Sequence, residues 1–201
     1  MYPIDQLLQY LAALNYIVYT QPWQLNIIGV RASIQPNNQF NDVLVVAYKN
    51  QVQQWVVHYC KGTTLPGRHW LTQPINPAGT AILQPNQYVD AYQIGWHRGA
   101  YKALVQVKPV TVYRDTNRNE VPDTVHMRTQ TGLFGINIHR THEKQPPQWV
   151  NKNTAGCQVM QSRTDFDTLM QLAIQHQSLY GNRFTYTLIE ERAYKQYFQL
   201  L

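Results

Sequence analysis

The feature that most constrains the fold is a series of short apolar runs, separated by turn residues, within residues 24–113. The clearest runs are residues 25–30, 43–48, 52–59 and 103–107. Turn residues divide the region at positions 35–38, 65–67 and 84–86. Short runs rich in β-branched and aromatic residues, bounded by Pro, Gly and Asn, are typical of β-strands. The 14 tyrosines and 5 tryptophans also favour sheets. We therefore predict a β-sheet domain.

Two segments show helical spacing instead. Apolar residues recur every three or four positions in residues 4–15, which predicts an amphipathic helix within an N-terminal helical segment, residues 1–20. Residues 165–180 form a second helix, with Thr164 as its N-cap and Gly181 at its end. The predicted buried stripe of this helix is Phe166, Leu169, Met170, Ala173 and Ile174.

The C-terminal residues continue the mixed pattern. Residues 184–189 predict a strand, and residues 190–201 predict a short helix. No internal repeat, low-complexity stretch or linker divides the sequence. We therefore predict that residues 1–201 form a single domain, mainly β and of the α+β class.

Basic residues outnumber acidic ones by 17 to 11, which gives a net charge of +6. Such a surplus attracts polyanions: nucleic acid, anionic lipid, or the carboxylate- and phosphate-rich bacterial wall. The densest basic group, Arg114, Arg118 and Arg128, does not resemble a nucleic-acid-binding arm, so nucleic acid is not a predicted partner. No run approaches the ~20 apolar residues of a membrane span. The N-terminus lacks the pattern of an export signal, so we expect synthesis in the cytoplasm without a signal peptide.

The chain has two cysteines in different settings. Cys60 lies in an apolar run and is predicted to be buried, whereas Cys157 follows Gly156 in a polar loop. His139 ends an apolar segment, residues 134–141, that predicts a strand. A neighbouring imidazole lowers the pKa of a thiol by forming a thiolate–imidazolium pair. We therefore predict Cys157 as a nucleophile and His139 as its base. Gly156 would let the backbone approach a substrate carbonyl and hold the oxyanion.

These residues resemble the catalytic motif of the L,D-transpeptidase family. The family motif is a histidine, a spacer, and then Ser/Thr-His-Gly-Cys. This chain has His139, the fourteen residues 140–153, and then Thr-Ala-Gly-Cys at 154–157. The family's Ile-His-Gly-Thr corresponds to residues 138–141, and its Thr-Pro-Pro-Gly segment corresponds to residues 61–67. The resemblance spans roughly residues 55–190.

The motif also departs from the family pattern. Ala155 replaces a histidine, Arg140 replaces a glycine, and Gln158 with Val159 replace a hydrophobic residue and an Arg or Asn. Arg140 is a candidate to take over the role of the missing arginine, which shapes the family's pocket. The predicted substrate-binding residues are Arg140, Thr141, Thr154 and Gln158. The resemblance implies a β-sandwich-like fold, an acyl-enzyme on Cys157, peptidoglycan stem peptides as partners, and no metal or organic cofactor.

Zinc chemistry is an alternative. His139 and His142 have an H-x-x-H spacing, and His97, His126 or Cys157 could complete a site. Residues three apart on a strand point to opposite faces, so this pair would need a turn to converge.

Calcium binding is a further alternative for residues 115–123, whose oxygen-bearing side chains alternate along the chain. Glu120 stands where a calcium loop needs Gly, and His126 stands where it needs a bidentate Glu. A polar hairpin loop explains the same residues.

An aromatic and basic cluster, residues 96–99 with Tyr92 and Tyr101, is a candidate lining for a wall-binding groove. Aromatic faces stack on sugars and Arg pairs with carboxylates. The same residues could equally be core aromatics.

The leading hypothesis is a cysteine-dependent transpeptidase or hydrolase of peptidoglycan stem peptides. A wall substrate without an export signal fits a phage-encoded lysis or tail-associated protein, or an enzyme exported by another route. The alternative from another class is a wall-binding or phage structural module that keeps the fold and has lost activity. Ala155, Gln158 and Val159 motivate it, because they alter the motif. A zinc-dependent peptidase is the minor alternative.

Overall fold

The computed structural model describes residues 2–33, 38–125, 127–142 and 145–200. Within these ranges the strands are β1 (Asn26–Arg31), β2 (Asp42–Lys49), β3 (Trp55–Thr63), β4 (Thr80–Leu83), β5 (Asn86–His97), β6 (Tyr101–Gln106), β7 (Val110–Asp115), β8 (Thr129–Gly132), β9 (Ile138–Arg140), β10 (Gln158–Met160) and β11 (Phe184–Glu190). The helices of the same ranges are α1 (Ile4–Ala13), α2 (Arg68–Thr72), α3 (Arg163–Tyr180) and α4 (Glu191–Gln199). With 37% strand and 22% helix, the structure confirms the predicted mainly β, α+β class.

The larger sheet closes on itself. In the described part of the chain, eight strands form a barrel in the order β1-β11-β5-β6-β9-β10-β3-β2. The pairs β1–β11 and β9–β10 are parallel, and the other pairs are antiparallel. A separate antiparallel sheet has the order β4-β7-β8. The resemblance implied a β-sandwich-like arrangement, whereas the larger sheet is a closed barrel.

Strands β1 and β2 carry uninterrupted apolar runs because both of their faces are covered. Ile27 and Leu44 belong to the cluster of buried residues that fills the barrel. Ile28 and Val45 belong to a second cluster, which α1 and α4 cover from outside. A strand buried on both faces shows no alternation between apolar and polar residues. This burial explains why short apolar runs predicted these strands.

Helix α3 begins slightly earlier than the sequence predicts. Its N-cap is Ser162, whose hydroxyl oxygen accepts the backbone N–H of Asp165 at 3.2 Å. The prediction of Thr164 as the cap is therefore wrong, because Thr164 lies inside the first turn. Gly181 ends the helix as predicted.

The buried stripe of α3 also differs from the prediction, because Met170 is only partly buried. Phe166, Leu169 and Ala173 are buried in the barrel cluster as predicted, but Ile174 is 59% exposed. His176 is buried instead, and its Nδ1 accepts the backbone N–H of Leu25 at 3.0 Å. A backbone N–H just before β1 thus satisfies a buried histidine, which the predicted stripe did not include.

The parallel pairing of β9 and β10 brings two distant parts of the chain together. His139 lies opposite Val159, and Ile138 lies opposite Gln158. The predicted strand over residues 134–141 is shorter than expected, because only β9 has strand pairing. Gly135 has φ +71°, which breaks the extended backbone before β9.

Helices of the described ranges are all too short or too polar to cross a membrane.

Candidate active site

Cys157 and His139 line the same cavity, which has a volume of about 350 Å³. The barrel supplies one side of it, and β4 and β7 of the small sheet supply another. Its lining also includes Ala81, Arg98, Arg114, Phe134, Gly135 and Thr154. The structure thus brings the predicted nucleophile and the predicted base to one site.

Neighbouring groups hold the His139 ring in one tautomer. Its Nδ1 lies 2.8 Å from the backbone carbonyl oxygen of Arg140. Because a carbonyl oxygen only accepts hydrogen bonds, Nδ1 carries the proton. The hydroxyl of Tyr101 donates to the same carbonyl oxygen at 3.2 Å. In the neutral ring Nε2 is therefore unprotonated and can accept a proton.

His97 stacks on His139, with ring centroids 4.2 Å apart and an interplanar angle of 23°. The side-chain oxygen of Asn137 accepts the backbone N–H of Gln106 at 2.9 Å. The amide nitrogen of Asn137 consequently donates to Nδ1 of His97 at 3.0 Å. His97 therefore carries its proton on Nε2, a buried atom without a hydrogen-bond partner among the described residues. The two rings stack as neutral imidazoles.

The thiol of Cys157 is hydrogen-bonded to the backbone. Sγ donates to the carbonyl oxygen of Gly135 at 3.2 Å and accepts the N–H of Asn137 at 3.4 Å. Across the ranges that the structure describes, no hydrogen bond joins Sγ to the ring of His139. Both cysteines are free, and Cys60 is buried as predicted.

The pKa directions do not favour the predicted thiolate–imidazolium pair. Burial raises the pKa of Cys157, and the N–H of Asn137 and the charge of Arg98 only partly oppose this. Burial, together with the adjacent His97, lowers the pKa of His139 to about 3. Desolvation by the cavity wall therefore favours the neutral form of both groups.

Thr154 organises the turn that carries Cys157. Its hydroxyl accepts the N–H of Gly156 at 3.0 Å and donates to the carbonyl of Cys157 at 2.9 Å. Gly156 has φ +132°, and a Cβ at this position would lie 2.3 Å from the carbonyl oxygen of Ala81. The close approach of Gly156 is thus to β4, and its N–H donates to Thr154, so its role towards a substrate carbonyl stays a prediction. Thr154 lines the cavity, but its hydroxyl is used by the turn rather than being free for substrate.

Three predicted substrate-binding residues do not line this cavity. Gln158 is buried in the barrel, where its side-chain oxygen accepts the hydroxyl of Tyr186 at 2.9 Å. Thr141 is buried and donates to a backbone carbonyl at 3.1 Å. The guanidinium of Arg140 lies 4.2 Å from the ring centroid of Tyr101. These three side chains therefore lie away from the cavity that contains Cys157, and their role in substrate binding stays a prediction.

The aromatic and basic cluster predicted from the sequence divides into different environments. Trp96 is 60% exposed and Tyr92 is fully buried. Arg98 lines the cavity, whereas Tyr101 contacts His139. Sequence reasoning explained this region as a binding groove or as core aromatics, and missed its contact with the predicted base. Arg114 was noted only for charge density, and the sequence gives no signal that it reaches the cavity.

The metal hypotheses find no support in the described ranges. The ring centroids of His139 and His142 are 6.5 Å apart, and no group of three or more His, Cys, Asp or Glu residues there could hold a metal ion. His126 lies outside the described residues. In the loop after β7, the carboxylate of Asp115 accepts the backbone N–H groups of Asn117 and Asp123. This loop joins the antiparallel strands β7 and β8, which confirms the polar hairpin interpretation.

The buried histidines predict a loss of stability in acid. Burial lowers the pKa of His97 to about 4 and that of His139 to about 3. The unfolded chain, with histidine pKa values near ~6.5, binds more protons than the folded chain, so the free energy of unfolding falls as the pH decreases. We expect His97 and His139 each to lower the free energy of unfolding by about 2 kcal/mol between pH 7 and pH 5. Urea denaturation at the two pH values measures this loss.

Between pH 7 and pH 5, the free energy of unfolding of a His97→Gln variant should fall by about 2 kcal/mol less than that of the wild type. His58→Gln, on the half-buried part of β3, is the control and should keep the wild-type decrease. Parallel curves for wild type and His97→Gln would contradict the prediction.

Comparisons of the chain with protein-family models, with curated proteins and with solved structures gave no match. The likeness to the L,D-transpeptidase family therefore rests on the motif residues alone.

Proposed function

We propose that this protein is a cysteine-dependent acyl-transfer enzyme of the L,D-transpeptidase type, acting on the stem peptides of peptidoglycan. One observation carries the proposal. Cys157 and His139 line one cavity, and His139 is held with Nε2 unprotonated. A nucleophile and a correctly protonated base in one cavity are the minimum that acyl transfer requires. The spacing of the motif residues supports the same reaction.

In this proposal the reaction starts from a neutral thiol. Nε2 of His139 takes the proton of Cys157 while Sγ forms a bond to the carbonyl carbon of the stem peptide. His139 then gives the proton to the departing amine as the C–N bond breaks, and a thioester remains on Cys157. The backbone N–H of Cys157 is the proposed oxyanion donor, since that of Gly156 already donates to Thr154.

The second half of the reaction restores the thiol. An amine of another stem peptide, or water, gives a proton to His139 and attacks the thioester carbon. The C–S bond breaks and Sγ takes the proton back. In each half of the reaction His139 becomes positively charged. The hydrogen bond from its Nδ1–H to the carbonyl oxygen of Arg140 stabilises this charged ring. An amine acceptor gives transfer, and water gives hydrolysis.

Incubation with purified muropeptides tests the proposal. With the wild-type protein we expect mass spectrometry to show either shortened stem peptides or new cross-linked products. Cys157→Ala should leave every muropeptide unchanged, because the nucleophile is lost. Cys60→Ala removes the other thiol, which is buried outside the cavity, and should keep activity. Unchanged muropeptides with the wild-type protein would contradict the enzyme proposal.

The second candidate is a wall-binding or phage structural module that has lost activity. The burial of the Cys157 thiol, and its hydrogen bonds to Gly135 and Asn137 rather than to His139, favour this candidate. Such a module would bind muropeptides with equal affinity as wild type and as Cys157→Ala, and would leave their masses unchanged. A phage-encoded lysis or tail-associated protein is the proposed setting for both candidates.

A further inference from the structure

The cavity that contains Cys157 carries positive charge without a negative counterpart. Arg98, at the tip of the β5–β6 hairpin, and Arg114, on β7, both line it. Among the described residues that line this cavity there is no Asp or Glu. Two cations facing one concave, partly desolvated space raise the local concentration of anions.

Arg114 is the more informative of the two because it is buried, with 4% of the residue exposed. Its Nε donates to the side-chain oxygen of Gln130 at 2.8 Å, and Nη1 donates to the carbonyl of Gly79 at 3.1 Å. Both acceptors are neutral. Within the ranges that the structure describes, Arg114 has no ion-pair partner, and Nη2 has no hydrogen-bond acceptor. Buried guanidinium groups are usually paired, so this one retains donors for an anion.

The environment of Arg114 makes an incoming anion favourable. Burial lowers the pKa of its guanidinium, because desolvation disfavours the charged form. The ring centroid of Phe134 lies 4.7 Å from the guanidinium carbon and keeps it in a fixed orientation. A carboxylate that accepts two hydrogen bonds from a fixed guanidinium offsets the desolvation.

Arg98 extends the positive field to the reactive groups. Its side chain is exposed at the hairpin tip, and it has no ion pair with any carboxylate in the described ranges. Its charge lowers the pKa of both Cys157 and His97. The charge of Arg98 therefore lies at the same cavity as the thiol.

We propose that Arg98 and Arg114 form a carboxylate subsite beside Cys157, which selects ligands with a free carboxylate close to the carbonyl that Sγ attacks. The inference rests on the proposed function for the attack. The subsite itself requires only the cavity and its two arginines. The ligand class is a peptide or acyl amino acid with a free carboxylate near the reacting bond.

Alkylation of Cys157 tests the subsite without enzyme turnover. Iodoacetate and iodoacetamide both form an S–C bond while iodide leaves with the bonding electrons and the thiol proton goes to base or solvent. Iodoacetate carries a carboxylate, whereas iodoacetamide carries a neutral amide in its place. We expect the rate ratio of iodoacetate to iodoacetamide at Cys157 to exceed that of N-acetylcysteine about tenfold. Mass spectrometry of the two products at Cys157 measures this ratio.

The variants assign the preference to the two arginines. Arg114→Gln and Arg98→Gln should each lower the ratio towards that of N-acetylcysteine. Arg118→Gln removes the same charge from an exposed residue outside this cavity and should keep the wild-type ratio. Because Arg98 is exposed at a hairpin tip, the Arg98→Gln variant should fold. It therefore tests the subsite even if the Arg114→Gln variant does not fold.

A second measurement does not need a reactive thiol. Titration with N-acetylalanine should shift the side-chain Nε–H resonance of Arg114 to saturation in NMR spectra, whereas N-acetylalaninamide should not. Equal responses to the acid and the amide, or a rate ratio that neither arginine variant changes, would overturn the subsite. A carboxylate preference without any muropeptide turnover would retain the subsite and overturn the proposed enzyme. Turnover without a carboxylate preference would overturn only the subsite.

Discussion

Replacing His139 with Gln is expected to lower kcat for stem-peptide turnover by at least about 100-fold. The neutral Cys157 thiol depends on Nε2 of His139 for removal of its proton, because burial raises the pKa of the thiol. KM should change little, since in the proposed reaction His139 moves a proton and does not hold the substrate. Initial rates with muropeptides measure both constants, and near-ultraviolet circular dichroism checks that the variant is folded.

His142→Gln is the matched control for this variant. The ring of His142 lies 6.5 Å from that of His139 but lines a different cavity, together with Arg68 and Lys152. This control should keep the wild-type kcat. Full activity of His139→Gln, or an equal loss in both variants, would contradict the assignment of His139 as the base.

Elements with a strong local pattern were predictable from the sequence. The run in β1 is apolar because both faces are covered, and α1 follows the 3.6-residue spacing of its apolar residues. Where the burial pattern depends on a distant partner, the prediction failed. Val52 was placed in a strand, but it is 70% exposed in the turn before β3. Ile174 was placed in the core, but His176 is buried through its bond to Leu25.

Closure of the barrel has no local signal in the sequence. It requires the parallel pairing of β1 with β11, in which Ile27 lies opposite Tyr186 near the other end of the chain. It also requires β5 to pair with both β6 and β11. Pairings between such distant segments follow from the packing of the whole sheet, and propensity along the chain cannot specify them.

The site was predictable only as far as its motif extended. A glycine before Cys157, and a histidine at a family-like spacing, indicated two residues that do line one cavity. The orientation of Gln158 depends on the register of β10 against β3 and β9, so its burial could not be inferred from the motif. The groups that set the tautomer and the charge, Tyr101 and Arg114, come from other strands.

Gly156→Ala is expected to lower the free energy of unfolding by about 3 kcal/mol. The added Cβ would lie 2.3 Å from the carbonyl oxygen of Ala81, which belongs to the backbone of β4 and cannot move as a side chain can. The positive φ of +132° adds strain for any residue with a Cβ. Urea denaturation at pH 7 measures the loss. Because the turn also carries Cys157, we expect the alkylation rate of that thiol to change in the same variant.

Gly99→Ala is the control for a positive φ without a backbone contact. Gly99 also has a positive φ, +69°, but nothing lies within 4 Å of a Cβ at that position. Replacing Gly99 with Ala should lower the free energy of unfolding by only about 1 kcal/mol, which is the cost of a positive φ for alanine. If both variants lose the same amount, the contact between the Cys157 turn and β4 contributes nothing. A larger loss for Gly156→Ala is the expected result, because only there does the new methyl group meet backbone and because φ +132° is less accessible to alanine than φ +69°. The small sheet would then be a structural support of the cavity as well as one of its walls.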